Sequence, residues 1–227
     1  MTLSDLRVLR EVPVVFARAG MMLSKYWDSE QRRDRLKLLL RIRSGRDMLM
    51  LPCEACQIMS AIDAVKKIPG EMAELGVASG ASAKMIAARA PGRILHLFDT
   101  FEGLPKPTRP DSARFKENQY RYSLEEVQRY LKSDKSDDIR FHRGLFPHTA
   151  AELSDTRFAF VHLDADLYES TRAGLEWFYP RLNRGAILIC HDYDTSAGVN
   201  RALEEFFADK PEPYFDFVGC QCGFVKF

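Results

Sequence analysis

The chain predicts an α/β fold: a doubly wound, mostly parallel sheet of seven strands with an N-terminal helical extension. Three observations carry this. Continuous apolar runs such as Phe158 to Leu163 and Ala186 to Cys190 read as strands buried on both faces. These runs alternate with helical segments, the pattern of a parallel sheet covered by helices. The last two runs, near 215–218 and 222–227, leave no chain for a helical crossover and must pair antiparallel. In such a sheet a ligand sits at the carboxyl ends of the central strands.

The elements follow in order. Residues 1–50 form the extension and 51–227 the main domain. Leu3, Leu6 and Leu9 recur at helical spacing until Pro13 ends or kinks the segment. A second helix covers about 29–43, where Leu36, Leu39, Leu40 and Ile42 stand among seven basic residues from Arg32 to Arg46. This surface is either a solvated face or a contact with an acidic substrate, a lipid headgroup or a second subunit, and its apolar stripes make a homodimer one expectation. From Cys53 to Lys67 the chain reads as helix, stopped at Pro69-Gly70. Glu71 to Leu75 is the first strand, and a small-residue helix follows Gly80 through Arg89. Ile94 to Phe98 is the second strand. Asp99 to Tyr122 is rich in Pro, Gly and charge and reads as a long loop or lid. Ser123 to Leu131 is helical, with Ser123 as N-cap and Glu126 at the capping-box position. Strands follow at Ile139 to His142 and Phe158 to Leu163, then a helix over 168–182 ended by Asn183-Arg184-Gly185. A fifth strand at Ala186 to Cys190, a helix over 197–208 and the final hairpin around Gly219 complete the domain.

Composition narrows the function. With 33 basic and 32 acidic residues the net charge is +1, so no global field draws the chain to nucleic acid or a membrane. The apolar runs fall far short of the roughly 20 residues needed to cross a bilayer. No signal peptide is visible, and five thinly spread cysteines suit a reduced, cytoplasmic setting. Cys53, Cys56, Cys220 and Cys222 make a poor zinc set, since the second pair is spaced C-x-C. No G-x-S-x-G is present for a serine hydrolase.

Four strand ends carry chemistry. Glu74-Leu75-Gly76-Val77-Ala78-Ser79-Gly80 gives a backbone that turns sharply toward a ligand before a helix N-terminus. Asp99 closes the second strand, placed either to accept from both hydroxyls of a ribose or to cap a turn. Asp164-Ala165-Asp166 ends the fourth strand and His191-Asp192 the fifth. Carboxylates facing each other across neighbouring strand ends suit a hard divalent cation, although Asp166 alone also reads as a helix cap.

Together these segments resemble the macrocin O-methyltransferase family. The resemblance rests on Glu74 through Gly80, on Phe98-Asp99-Thr100-Phe101-Glu102-Gly103-Leu104-Pro105, on Gly144-Leu145-Phe146-Pro147-His148-Thr149, on Asp164 through Thr171 and on His191-Asp192-Tyr193. It covers about residues 50–227 and implies a Rossmann-like class I methyltransferase domain. It further implies that S-adenosylmethionine and a divalent metal, Mg²⁺ or Mn²⁺, serve the methylation of a hydroxyl on a small molecule, sugar or natural product. Glu74, Gly76, Ser79 and Gly80 would shape the cofactor loop, with Asp99, Thr100 and Phe101 around the ribose. Asp164, His191 and Asp192 would hold the metal, and Asp166 would be the catalytic base. One departure is visible: the family pattern is Asp-Asp-Tyr where this chain has His191-Asp192-Tyr193. Imidazole suits Mn, Fe, Ni or Zn better than Mg²⁺, so the site holds a different metal, holds Mg²⁺ more weakly, or has lost it. His191 as the base, with Asp166 in the metal shell, is the competing assignment. The rival functions are a non-catalytic adenosyl-binding module with a degenerate metal site and, against the loop spacing, a nicotinamide oxidoreductase.

Overall fold

The computed structural model describes residues 29–132 and 138–227. The chain divides into two compact units, residues 1–41 and 42–227. Of the first unit, the described part is the start of helix α1 (Glu30–Gly45), which runs across the boundary. Leu36 and Leu40 lie on this helix, and Leu40 is exposed. Leu3, Leu6, Leu9 and Pro13, which carried the other N-terminal expectations, lie outside the described residues.

The second unit is the sheet domain. Helix α2 (Pro52–Ala64) and a 3-10 turn at Val65–Lys67 lead into β1 (Glu71–Leu75). Then come α3 (Ala81–Arg89), β2 (Leu95–Asp99), α4 (Leu124–Leu131) and β3 (Ile139–Arg143). A 3-10 helix at His148–Leu153, which apolar periodicity did not signal, precedes β4 (Phe158–Leu163). The domain ends with α5 (Tyr168–Phe178), β5 (Leu182–Cys190), α6 (Ala197–Phe207), β6 (Phe215–Asp216) and β7 (Cys222–Val225). The sheet order is β3-β2-β1-β4-β5-β7-β6. The first five strands are parallel, and β7 runs antiparallel to both β5 and β6. The seven-stranded doubly wound sheet is therefore the fold expected from the sequence. Its order reverses at β1 and β4, so their carboxyl ends open the crevice where such sheets bind ligands.

Burial explains which runs became strands. Every residue of β4 is buried, as a central strand covered on both faces requires. Helix α4 begins as its cap residues dictate: the Ser123 hydroxyl accepts from the Glu126 amide at 3.3 Å, and the Glu126 carboxylate accepts from the Ser123 amide at 2.9 Å. One boundary departs from expectation. Asn183-Arg184-Gly185 reads as a helix stop, yet β5 already starts at Leu182. Gly185 has φ +84°, and the pairing with β4 slips between Phe158 and Phe160, so the glycine marks a bulge inside the strand.

The chain end is fastened by a buried carboxylate. Glu212 accepts from the Tyr179 hydroxyl and the Lys226 ammonium, both at 2.5 Å, and from the Phe227 amide at 3.2 Å. Burial pushes this carboxyl up, but Lys226, Tyr179 and Phe227 outweigh it and bring it down to about 2 from the ordinary 4.5. A depressed acid contributes stability that is present above its unfolded value and is lost as the pH falls through its folded value. Glu212→Gln should therefore lower unfolding stability at neutral pH by about 3 kcal/mol, the low end of what breaking a buried pair costs, because Lys226 keeps some exposure. The stability of the variant should also fall less than that of the parent chain between about pH 5 and 3. Urea titrations at several pH values check both outcomes; equal midpoints at neutral pH would show that the pair contributes nothing.

Candidate active site

The four strand ends named from the sequence meet around one cavity of about 320 Å³ in the sheet domain. That volume lies within the range of small-molecule sites. Gly76, Ser79, Asp99, Thr100, Asp164, Asp166, His191 and Asp192 line it. Glu74, Gly80 and Phe101 stand behind the lining. Glu74 is fully buried and accepts from His162 Nδ1 at 2.8 Å; burial pushes its carboxyl up against the pull of His162. Gly80 is the N-cap of α3, and Phe101 is buried against Phe141.

The glycine loop is shaped by close backbone approach. A Cβ on Gly76 would lie 1.7 Å from the carbonyl oxygen of Asp164, so only glycine lets the ends of β1 and β4 meet here. Asp99 then staples the loop to β2. Its Oδ2 accepts from the Val77 and Ala78 amides at 2.7 and 3.1 Å, and its Oδ1 accepts from the Phe101 amide at 2.7 Å. The carboxylate thus organises the loop as well as facing the cavity, a second task that its position at a strand end did not reveal. Ser79 donates its hydroxyl to the Asp47 carbonyl at 2.7 Å and holds the segment whose residues Met48 to Met50 form one cavity wall.

On the opposite side, Asp164, His191 and Asp192 converge. His191 Nδ1 lies 3.3 Å from Asp164 Oδ1 and 3.3 Å from Asp192 Oδ2, and it is buried with no well-aligned hydrogen-bond partner. Its Nε2 lies 3.3 Å from Glu54 Oε2 and 3.4 Å from Cys220 Sγ. Burial works against the imidazolium, but the charge of Asp164 and the close approach of Asp164, Asp192 and Cys220 raise the imidazole well above its ordinary range. Positive charge at Nδ1, whether proton or metal ion, answers the same two carboxylates. Burial pushes Asp192 up too; His191 and the Thr195 hydroxyl, which donates at 2.7 Å, bring it down to about 2.

Asp166 is not the cap of α5. That helix receives its cap from the loop at 99–122: Asp111 Oδ1 accepts from the Tyr168 amide at 2.7 Å. Asp166 instead has φ +59° and faces the cavity, its carbonyl held by the Ser196 hydroxyl at 3.0 Å. Burial, and then the charges of Asp164 and Asp192, hold its carboxyl well above the carboxylate range. Left-handed backbone in non-glycine residues is costly and gathers where function over-determines the chain. Ala78, Tyr120, Asp166 and Asp192 all have positive φ and all line this cavity.

Sequence reasoning missed three participants. Arg114, in the expected lid, lies 3.3 Å from Asp192 Oδ1. Tyr120 of the same segment reaches the cavity; burial and the charges of Asp166 and Asp192 raise its phenol. Glu54 comes from α2, 137 residues from His191. The composition of the lid was its only signal, and nothing in the sequence linked Glu54 to the fifth strand.

A sequence profile of the macrocin-O-methyltransferase family matches residues 54–212. An 8-demethyl-8-(2,3-dimethoxy-alpha-L-rhamnosyl)-tetracenomycin-C 4'-O-methyltransferase from Streptomyces olivaceus is 35% identical over 146 residues, 57% of this chain and 55% of that protein. A demethyldecarbamoylnovobiocin O-methyltransferase from Streptomyces niveus is 28% identical over 155 residues, 62% of this chain and 59% of that protein. The matches therefore span less than two thirds of either relative. Among solved structures, the O-methyltransferase NovP aligns with a TM-score of 0.63 at 23% identity, over 75% of this chain and 78% of its own. The calicheamicin methyltransferase CalS11 aligns with a TM-score of 0.62 at 22% identity, over 87% and 93%. At these identities the structural likeness speaks for the fold.

Proposed function

Given that the chain belongs to the macrocin-O-methyltransferase family, we propose that it is an S-adenosylmethionine-dependent O-methyltransferase acting on a hydroxyl of a sugar or other natural product. The observation that carries this is the pairing at one cavity of an adenosyl-type cradle, Gly76 with Asp99, and a carboxylate cluster, Asp164, Asp166 and Asp192. A non-catalytic module would need the first half only.

The cavity suits both groups that this chemistry uses. Its volume takes a small-molecule cofactor, and the loop amides and Asp99 stand at its β1–β2 end. His191 Nδ1, buried without a hydrogen-bond partner between two carboxylates, is the orphaned donor atom that a cation would answer. Asp164, His191 and Asp192 would hold a divalent ion, and Asp99 with the loop at 76–79 would hold the adenosyl group. When bound, the cofactor supplies a methyl group on a sulfonium, and its sulfur leaves as a neutral thioether that needs no acid. A cation held by Asp164, His191 and Asp192 would supply Lewis acidity toward the acceptor's oxygens.

The remaining work falls to the chain. Asp166 takes the acceptor's hydroxyl proton, since its carboxylate faces the cavity while both ring nitrogens of His191 face other groups. The segment at 99–122, tied to α5 through Asp111 and to the acidic cluster through Arg114, covers the site and limits water. Positioning thus provides much of the acceleration. Five free cysteines suit a reduced, cytoplasmic setting.

Asp99→Ala tests the cofactor assignment. It removes both the ribose acceptor and the staple of the loop, each charge-assisted bond being worth about 1.5–3 kcal/mol. Calorimetric affinity for S-adenosylmethionine should fall at least about tenfold. Unchanged affinity in the folded variant would place the adenosyl group elsewhere.

A further inference from the structure

His191 is enclosed by acidic groups on both sides, and the two sides differ. On the Nδ1 side lie Asp164 and Asp192, which open to the cavity. On the Nε2 side lies Glu54, whose residue is fully buried. The Glu54 carboxylate is surrounded by donors. Its Oε2 accepts from the Leu51 amide at 2.6 Å and faces His191 Nε2 at 3.3 Å. Its Oε1 accepts from the Cys220 amide at 2.8 Å and from the Cys220 thiol at 3.0 Å. Three segments remote in sequence thus lock one carboxylate against one imidazole nitrogen.

An ionised carboxylate only accepts, so the nitrogen facing it carries hydrogen. That holds Nε2–H toward Glu54, and at Nδ1, between the two aspartates, either a proton or a metal ion meets the same need. A metal ion at Nδ1 would replace that proton and meet the two aspartates in its place. The same arrangement, a ligating histidine whose far N–H is held by a carboxylate, orients the ring and raises ligand basicity at metal centres. We propose that Glu54 is a positioning residue that presents His191 Nδ1 as a nitrogen ligand, so that the site takes a divalent transition ion such as Mn²⁺ or Co²⁺ in preference to Mg²⁺. The proposal rests on the metal-assisted reading above. It explains why a histidine is workable where the family pattern has aspartate: Glu54 would repel a carboxylate at position 191 and supports an imidazole there.

The test is a cycle of four proteins: the parent chain, Glu54→Gln, His191→Asp and the double variant. Mn²⁺ dissociation constants come from the electron paramagnetic resonance of free Mn²⁺, and Co²⁺ visible absorption reports the ligand set. Glu54→Gln should weaken Mn²⁺ binding about 10–100-fold and shift the Co²⁺ bands. In the His191→Asp background the same change should leave Mn²⁺ binding equal or tighter, because it removes like-charge repulsion. That reversal is something a merely structural role of Glu54 does not produce. Equal weakening in both backgrounds, or no weakening in the first, overturns the proposal. If Glu54→Gln does not fold, Glu54→Asp replaces it; the shortened arm should weaken Mn²⁺ binding, and parent-like affinity overturns the proposal. A parent chain that binds neither ion overturns both this proposal and metal assistance. Calorimetry with S-adenosylhomocysteine on the same samples shows separately whether the cofactor reading stands.

Discussion

Asp166→Asn lowers the single-turnover rate of methyl transfer about 10²–10⁴-fold while S-adenosylhomocysteine binding stays within about threefold of the parent chain. The substitution keeps the size of the side chain and removes its capacity to take a proton. Three features make this the expected outcome. Asp111 performs the capping of α5, so Asp166 is not needed there. The backbone of Asp166 sits at φ +59°, a conformation that asparagine tolerates well, so the variant should fold. Burial and the neighbouring charges of Asp164 and Asp192 hold its carboxyl high, and a cation bound by those two aspartates would offset their charge and free the carboxylate to take a proton. Rapid-quench measurement of S-adenosylhomocysteine formation, with any glycosylated acceptor that supports turnover, reads the rate. A variant within about threefold of the parent rate would remove Asp166 from proton transfer. If Asp166→Asn kept the rate while His191→Asn kept the metal and lost the rate, the base would be the imidazole.

Gly76→Ala should be the most damaging single-methyl change in the sheet domain. The added Cβ would lie 1.7 Å from the Asp164 carbonyl oxygen and 2.6 Å from its carbonyl carbon. Both are backbone atoms at the end of a fully buried strand, so no side chain can rotate away. The position also has φ +88°, which strains any residue with a Cβ. Clash and strain together should cost about 4 kcal/mol or more in denaturant titrations, the range reached by severe core disruptions. Gly92 is the control. It has φ +75°, but a Cβ added there would meet nothing within 4 Å, so Gly92→Ala should cost only about 1–2 kcal/mol. Equal costs at the two positions would mean that close approach of β1 to β4 is not what fixes glycine in the loop.

The sheet was legible because burial on both faces leaves a strong trace: β1, β2, β4 and most of β5 are largely apolar runs in the sequence. The start of β5 was not legible, since Asn183-Arg184-Gly185 has the composition of a helix stop while the structure uses it as a bulge. The candidate site was legible where its residues share a strand end, as Asp164 with Asp166 and His191 with Asp192 do. It was not legible where contacts cross the chain. The side chain of Glu54 looks like an ordinary acid in the first turn of a helix, and only folding brings it against His191 and Cys220. Asp111 and Arg114 sit in a segment with no periodicity at all, so their grip on α5 and Asp192 comes from the tertiary path of that loop. Asp99 was legible from its place at the end of the second strand, whereas its bonds to the Val77 and Ala78 amides depend on how closely β1 and β2 end together.

One measurement tests the central claim, that a single crevice joins an adenosyl cradle to a cation-binding acid cluster. It is the anomalous difference map of a crystal grown with S-adenosylhomocysteine and Mn²⁺. We expect adenosyl density with its ribose at Asp99, and one Mn²⁺ peak bounded by Asp164 Oδ1, His191 Nδ1 and Asp192 Oδ2. Adenosyl density away from Asp99, or a Mn²⁺ peak that leaves these three atoms unliganded, would contradict it.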